Sequence, residues 1–393
     1  MVESSDLEAL MTDELVRPTA EALGEATEEV EKHVAEVRSH PDQRPGAHPY
    51  YRFHPVGEAI RGTVLMFHGF SARPHQMYRL ANYLYNNGFN FYQATLAGHD
   101  KINPAKNWPQ IDLRPQYIGP LLDKVQQDPV LVSALMQKTD TGSDAPVRQS
   151  ALLGRLFEVA PEMKAVARAI AHPKQPDFER YFLSSHTAFL TDSRARLSEL
   201  SSLPGPVYTV GLSVGGAVAL ALAADRPERI EKAVVYAPLL KIIGEDRRQY
   251  VQLAGPLDIS ETGWDPNLRF PVGALTAADY FGSELRMETS VDKLRQTPIF
   301  MVLTENEDAA DIVASEQFFA DLNNPKNALF KYPASAMVPH PMIDPTERSQ
   351  RMSNSYWQSL YQETLRFLSM GTVQMSNLST LKQTQDIALV PDI

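Results

Sequence analysis

The chain contains no cysteine, which excludes disulfides, thiolate nucleophiles and cysteine-ligated metals together. Long apolar runs are missing as well: no stretch approaches the roughly 18 residues needed to cross a bilayer, so no transmembrane segment is expected. Basic residues are in deficit, with 37 Lys and Arg against 48 Asp and Glu and a formal net charge of −11. Nucleic acid is therefore not an expected partner, because binding phosphates needs clustered Lys and Arg. No HExxH or similarly spaced cluster of ligands occurs, so neither a metal nor a cofactor is expected. The opening residues, MVESSDLEALMTDELV, lack the basic end and apolar stretch of a secretory signal, which points to a cytoplasmic chain.

What is present suits one large α/β domain with insertions: 393 residues, 43% of them hydrophobic and 22% charged. Residues 5–38 have helical character, with Leu23, Val30, Val34 and Val37 on one face. That helix is expected to lie on the main body, with an oligomerising role (a homo-oligomer through this helix) as the alternative. Residues 39–49, SHPDQRPGAHP, carry three Pro and a Gly and read as a linker. Beyond residue 50, apolar strand-like runs alternate with helices: Tyr50–His54, Gly62–Phe67, a helix over 75–86, Phe89–Leu96, Val207–Leu212, Lys232–Ala237, Ile299–Thr304, Ala328–Tyr332 and a final helix over 353–369. Such alternation implies a mostly parallel central sheet with helices on both faces. Residues 109–178 and 239–292 interrupt it and read as largely helical cap insertions over the strand ends; the second carries Trp264, Phe270, Tyr280 and Phe281. The expected organisation is an extension and linker (1–49), a core (50–108, 179–238 and 293–369), the two caps, and a C-terminal tail (370–393).

The most informative stretch is PVYTVGLSVGG at 206–216. An apolar run breaks into Gly211-Leu212-Ser213-Val214-Gly215 and is followed by the small-residue helix GAVALALAA. A serine on such a strand-to-helix turn stands clear of the backbone, and glycines two residues to either side avoid a collision within the turn. Ser213 is thus the candidate nucleophile, at a helix N-terminus whose N–H groups point toward it.

Acyl transfer by serine also needs oxyanion donors, a base and an acid. His68-Gly69-Phe70 ends the GTVLMF strand, where the Phe70 N–H can join the Val214 N–H as a second oxyanion donor. Of ten histidines, His340 in Pro339-His340-Pro341 is the best base, because it follows the last strand downstream of the serine. His99 lies at an earlier strand end, a position that suits shaping the loop, while His186 is expected on a helix and His54 on an edge strand. For the acid, Glu305, Glu307, Asp308 and Asp311 compete on the loop after IFMVLT, and each satisfies the chain order Ser, acid, His.

The segments HGFSARPHQM (68–77), NNGFNFYQATLAGHD (86–100), Trp108, GLSVGG (211–216) and TENEDAADIVASEQFF (304–319) together resemble the α/β-hydrolase superfamily. Within it they are similar to the carboxylesterase, monoacylglycerol lipase and serine aminopeptidase-like group. The resemblance implies the α/β-hydrolase fold, Ser213 as nucleophile, His340 as base, and Phe70 with Val214 as oxyanion donors. Laid without gaps, the group's small-x-x-Asp-x-x-x-Asp pattern falls on Thr304–Asp311 and puts Glu307 in the acid position, where the group usually has Asp. Asp308 is the alternative acid, at the expense of a one-residue shift. A second departure is Gly98-His99-Asp100 where the group often has Gly-His-Gly.

The function so implied is hydrolysis of small-molecule carboxylic esters, and the aromatic and aliphatic residues of the caps point to apolar acyl or alcohol groups. The alternatives are a peptidase, thioesterase or acyltransferase using the same three residue types, or a non-catalytic binding protein on the same scaffold.

Overall fold

The computed structural model describes residues 15–133, 149–171, 176–257, 260–262 and 268–381. Trp264, the first fourteen residues of the chain and the end of the C-terminal tail lie outside them. The strands, in chain order, are β1 (Tyr50–Arg52), β2 (Gly62–Phe67), β3 (Phe89–Ala94), β4 (Ile111–Leu113), β5 (Phe182–Ser184), β6 (Val207–Leu212), β7 (Ile230–Tyr236), β8 (Ser260–Thr262), β9 (Arg269–Pro271), β10 (Ile299–Thr304) and β11 (Ala328–Tyr332).

Continuous apolar runs such as GTVLMF and IFMVLT can be satisfied only where both faces of a strand are covered. β2, β3, β6 and β10 are buried along their whole length. They belong to a seven-stranded sheet in the order β1-β3-β2-β6-β7-β10-β11. All its neighbours are parallel except the edge pair β1 and β3. Alternate residues feed two cores: Leu65 and Phe67 face a cluster that includes the helix Val214–Asp225, while Val64 and Met66 face one that includes Leu80 and Leu84 of Tyr78–Tyr85 and Leu360 and Leu368 of Trp357–Met370.

Local chemistry sets several boundaries differently from the pattern expectation. The N-terminal helix is Ala20–Ser39, capped by Thr19, whose hydroxyl accepts from the Ala22 N–H at 3.1 Å. Among the described residues ahead of it, Val16 instead pairs with Ile60. Ala26, Val30 and Val34 join the main core, so the apolar face of this helix is covered by the body. The helix expected over 75–86 opens as a 3₁₀ turn, Pro74–Met77, and becomes α-helical over Tyr78–Tyr85. The last helix begins at Trp357, because the Asn354 amide is committed to the Met342 carbonyl (2.7 Å) and its carbonyl to the Tyr356 N–H (2.8 Å). Residues 39–49, read as a linker, are docked: Arg44, Ala47 and His48 are buried.

The two insertions share a separate apolar cluster, in which Ile111, Leu121, Met163 and Ile170 of the first meet Leu253, Leu257, Ala277 and Tyr280 of the second. β4 of the first insertion pairs antiparallel with β5, and the second insertion holds an antiparallel ribbon of β8 with β9. Residues 182–184 thus pair with the first insertion, although the sequence pattern assigned them to the core. Among the described residues, no helix is long and apolar enough to cross a membrane.

The sheet and the helix Val214–Asp225 meet at Gly215, where a Cβ would sit 2.3 Å from both the Phe67 and His68 carbonyl oxygens. Gly216 is less confined, its nearest neighbour being the Pro238 Cβ at 3.1 Å. Gly215→Ala is therefore expected to cost more than about 3 kcal/mol, and Gly216→Ala about 1–2 kcal/mol. Urea unfolding of the two variants beside the parent measures the difference, and equal losses would contradict the close approach at Gly215.

Candidate active site

Ser213 sits between β6 and the helix Val214–Asp225 with φ 57° and ψ −121°, a backbone conformation that non-glycine residues seldom adopt. The surrounding bonds hold it there: its N–H donates to the Tyr236 carbonyl at 3.0 Å, and its carbonyl accepts from Ala217 (3.1 Å) and Leu239 (2.9 Å). At Gly211 a Cβ would lie 2.1 Å from the Gly215 carbonyl oxygen, so the turn closes only around glycine.

His340 lies in the loop after β11, and that loop is tied to the one after β10. The Thr304 hydroxyl donates to the Val338 carbonyl at 2.6 Å, and Asn306 bridges to Pro339. This pairing brings His340 Nδ1 to 2.5 Å from Glu307 Oε1, with both side chains largely buried (12% and 2% exposed). The same carboxylate oxygen accepts from the Ala309 and Ala310 N–H groups, each at 2.9 Å. Burial alone would raise the Glu307 pKa, but the His340 imidazole and these two N–H groups outweigh it and hold the carboxyl below its ordinary value. For His340, burial alone would lower the pKa; the charge of Glu307, with Asp308 and Glu347 behind it, raises it above the ordinary histidine value.

The other carboxylates of that loop have different partners. Asp308 is exposed and accepts from the Ser349 hydroxyl (2.5 Å) and the Gln350 amide (3.3 Å). Glu305 accepts from the Ala334 N–H at 2.9 Å, and Asp311 caps the helix Ile312–Leu322 while pairing with Lys241 at 3.0 Å. Glu307, Asp308 and His340 bring donor atoms within 4.8 Å of one another, close enough to chelate a cation. One oxygen of each carboxylate is already engaged, Glu307 Oε1 by two N–H groups and the imidazole, Asp308 Oδ2 by Ser349 and Gln350.

Phe70 follows β2 in a tight turn, and its ring is boxed by aromatics: Phe270 at 5.0 Å, Trp108 at 5.1 Å and His99 at 5.5 Å between ring centroids. His99 is fully buried and stacks on Trp108 at 3.7 Å, so it shapes this wall, while the neighbouring Asp100 pairs with Lys101 at 2.6 Å. His68 is buried too, and burial lowers its pKa to about 3. The neutral ring accepts from the Leu96 N–H at Nε2 (3.1 Å) and donates from Nδ1 to the Gly69 carbonyl (2.8 Å). His186 bonds to Ser184 at 2.6 Å and pairs with Glu284 at 3.2 Å, and His54 pairs with Glu58 at 2.9 Å.

Ser213, His340 and Phe70 line one cavity of about 370 Å³, with Leu212, Leu239, Ile242, Phe270 and Leu275 on its apolar walls. Val214, buried beside Ser213, opens the helix. Four further residues escaped the sequence reading. Gln76 accepts from the Gly69 N–H at 2.8 Å and donates to both carboxylate oxygens of Glu347 (3.1 and 2.9 Å). Burial, with Asp344 nearby, pushes the Glu347 carboxyl up to about 8. Gln76 stands inside HGFSARPHQM, but nothing in the pattern distinguishes it from a solvated glutamine. Arg247 and Glu261, from the second insertion, also reach the cavity wall and pair with each other at 2.6 Å.

Comparison with solved structures finds similar chains at low identity. One of the metagenome-derived lipolytic enzymes LipS and LipT is 14% identical, covering 82% of this chain and 98% of its own, with a TM-score of 0.50. The monoglyceride lipase of Saccharomyces cerevisiae is 13% identical over 86% and 99% of the two chains (TM-score 0.48). Est1E of Butyrivibrio proteoclasticus, solved with ferulic acid, is 13% identical over 82% and 93% (TM-score 0.45). A search of curated protein sequences returned no match. The family model for the alpha/beta hydrolase fold matches residues 62–369, well over half of the chain, and this protein belongs to that family.

Proposed function

We propose that the protein is a serine hydrolase that cleaves carboxylic esters through an acyl-enzyme. The observation that carries this reading is the His340 Nδ1 to Glu307 Oε1 contact at 2.5 Å, with His340 and Ser213 lining one cavity. A carboxylate on Nδ1 fixes the tautomer that leaves Nε2 as the base.

Ser213 Oγ attacks the ester carbonyl and gives its proton to His340 Nε2. Glu307 stabilises the imidazolium that forms. The oxyanion of the tetrahedral intermediate accepts from the Phe70 and Val214 N–H groups, a contribution worth about 3–4 kcal/mol per donor. The alcohol departs with the proton from His340, and a water activated by the same nitrogen then releases the acid. Leu212, Leu239, Ile242, Phe270 and Leu275 on the walls support an apolar acyl or alcohol group, in a cavity within the usual range for small ligands.

Wild-type protein is expected to be labelled by a fluorophosphonate probe and Ser213→Ala to be silent. Turnover of p-nitrophenyl esters should exceed that of aminoacyl p-nitroanilides. Unlabelled folded protein would favour a binding role, and faster anilide turnover would make the enzyme a peptidase.

The pH profile of kcat/KM tests the acid. His340 acts as a base only when neutral, so activity rises with pH through its raised pKa. Glu307→Gln removes the charge that sustains this shift and leaves burial, so the acidic limb should move to lower pH while the plateau falls about 10²–10⁴-fold. Asp308→Asn should change the plateau about fivefold or less. The opposite ranking would transfer the acid role to Asp308.

A further inference from the structure

The family match begins at residue 62, yet a segment ahead of it reaches the turn that carries Phe70. Residues 42–47 are fixed against the loop after β3. The Asp42 carbonyl accepts from Ile102 (2.8 Å), the Arg44 N–H donates to Asp100 (2.6 Å), and the Ala47 carbonyl accepts from the Thr95 hydroxyl (2.7 Å). Arg44 is thereby held in place, 3% exposed, with its guanidinium turned inward. Nη2 donates to the Ser71 carbonyl at 2.8 Å and Nη1 to the Ala72 carbonyl at 3.0 Å.

Those carbonyls belong to a strained turn. The Ala72 N–H donates to the Gly69 carbonyl at 3.2 Å, closing a four-residue turn over Phe70 and Ser71. Ser71, at its third position, has φ 61°, where glycine or asparagine is the usual occupant. A non-glycine residue in that region costs about 1–3 kcal/mol and persists only where its surroundings hold it. The Gly69 carbonyl and the Phe70 N–H are opposite ends of one peptide plane. Fixing the carbonyl, through Ala72 and His68 Nδ1, fixes the direction of the N–H. On the other side, Gln76 holds the Gly69 N–H.

We propose that Arg44 is a positioning residue for the oxyanion turn: its guanidinium clamps the Ser71 and Ala72 carbonyls so that the Phe70 N–H stays aimed at the reacting carbonyl. The inference rests on the reading of Phe70 as an oxyanion donor. It gives the segment ahead of the family match a role in rate, beyond its role in stability. Neutral-to-charged hydrogen bonds of this kind are about twice as strong as neutral ones, and a guanidinium can serve two carbonyls at once where an ammonium serves them poorly.

The test compares wild type, Arg44→Met, Arg44→Lys and Ser213→Ala in the full chain, with p-nitrophenyl butyrate and a fluorophosphonate. For Arg44→Met, kcat and the labelling rate should both fall about 10- to 100-fold while KM changes less than about threefold. Added methylguanidinium should restore part of the loss. If Arg44→Met does not fold, Arg44→Lys keeps the measurement available, with kcat expected to fall about three- to tenfold at unchanged KM. A purely structural role would lower the melting temperature yet leave kcat per labelled site at the wild-type value and insensitive to methylguanidinium; that result overturns the proposal alone. Wild-type protein that neither labels nor hydrolyses the ester, or labelling that survives Ser213→Ala, would overturn the hydrolase reading and the role of Arg44 with it.

Discussion

The close contact of the helix Val214–Asp225 with the end of β2 is the constraint on which the site depends. Gly215 lets this helix press against the Phe67 and His68 carbonyls, where a Cβ would lie 2.3 Å away. That contact sets the start of the helix beside the turn at Gly69 and Phe70, so that Ser213 and that turn line the same cavity. Ser213 bears the cost as a positive φ, and it is retained because its N–H and carbonyl are both held by neighbouring backbone. A helix packed at ordinary distance would relax the serine and separate it from the turn.

The second contact that builds the site is electrostatic. Loops after β10 and β11 are stitched together by Thr304, Asn306 and Pro339, and they bury an imidazole against a carboxylate. Each member of such a pair would be destabilised as a charge if buried alone, and each stabilises the other. The Ala309 and Ala310 N–H groups add bonds that a longer Glu side chain can reach. The extra methylene relative to aspartate is accommodated because the carboxylate folds back onto its own loop.

Around these contacts, material outside the regular alternation of strand and helix completes the cavity. The second insertion supplies Phe270, Leu275 and the Arg247 and Glu261 pair to its walls. The N-terminal extension packs Ala26, Val30 and Val34 into the main core and sends Arg44 to the turn at Ser71. Both are held by burial of their own apolar residues, so the polar groups they deliver are carried on packed supports.

The strands of the sheet were legible in the sequence because continuous apolar runs of six residues have few alternatives to a buried parallel strand; GTVLMF, VYTVGL and IFMVLT match β2, β6 and β10 end to end. Ser213 was legible because its turn requires glycine at 211 and 215, a steric demand written directly in residue type. The carboxylate that meets His340 was not: Glu307 and Asp308 are adjacent, equally charged and on the same loop, and only the fold turns one toward His340 and the other toward Ser349. Arg44 was hidden in a Pro- and Gly-containing stretch that composition marks as a linker, because the carbonyls it binds lie 27 and 28 residues further along the chain. Residue type and periodicity by themselves determined the sheet and the serine-bearing turn, since both depend on local sterics and on burial of whole strands. Tertiary structure alone decided which carboxylate meets the histidine and which arginine meets the turn, because those contacts depend on where distant loops converge.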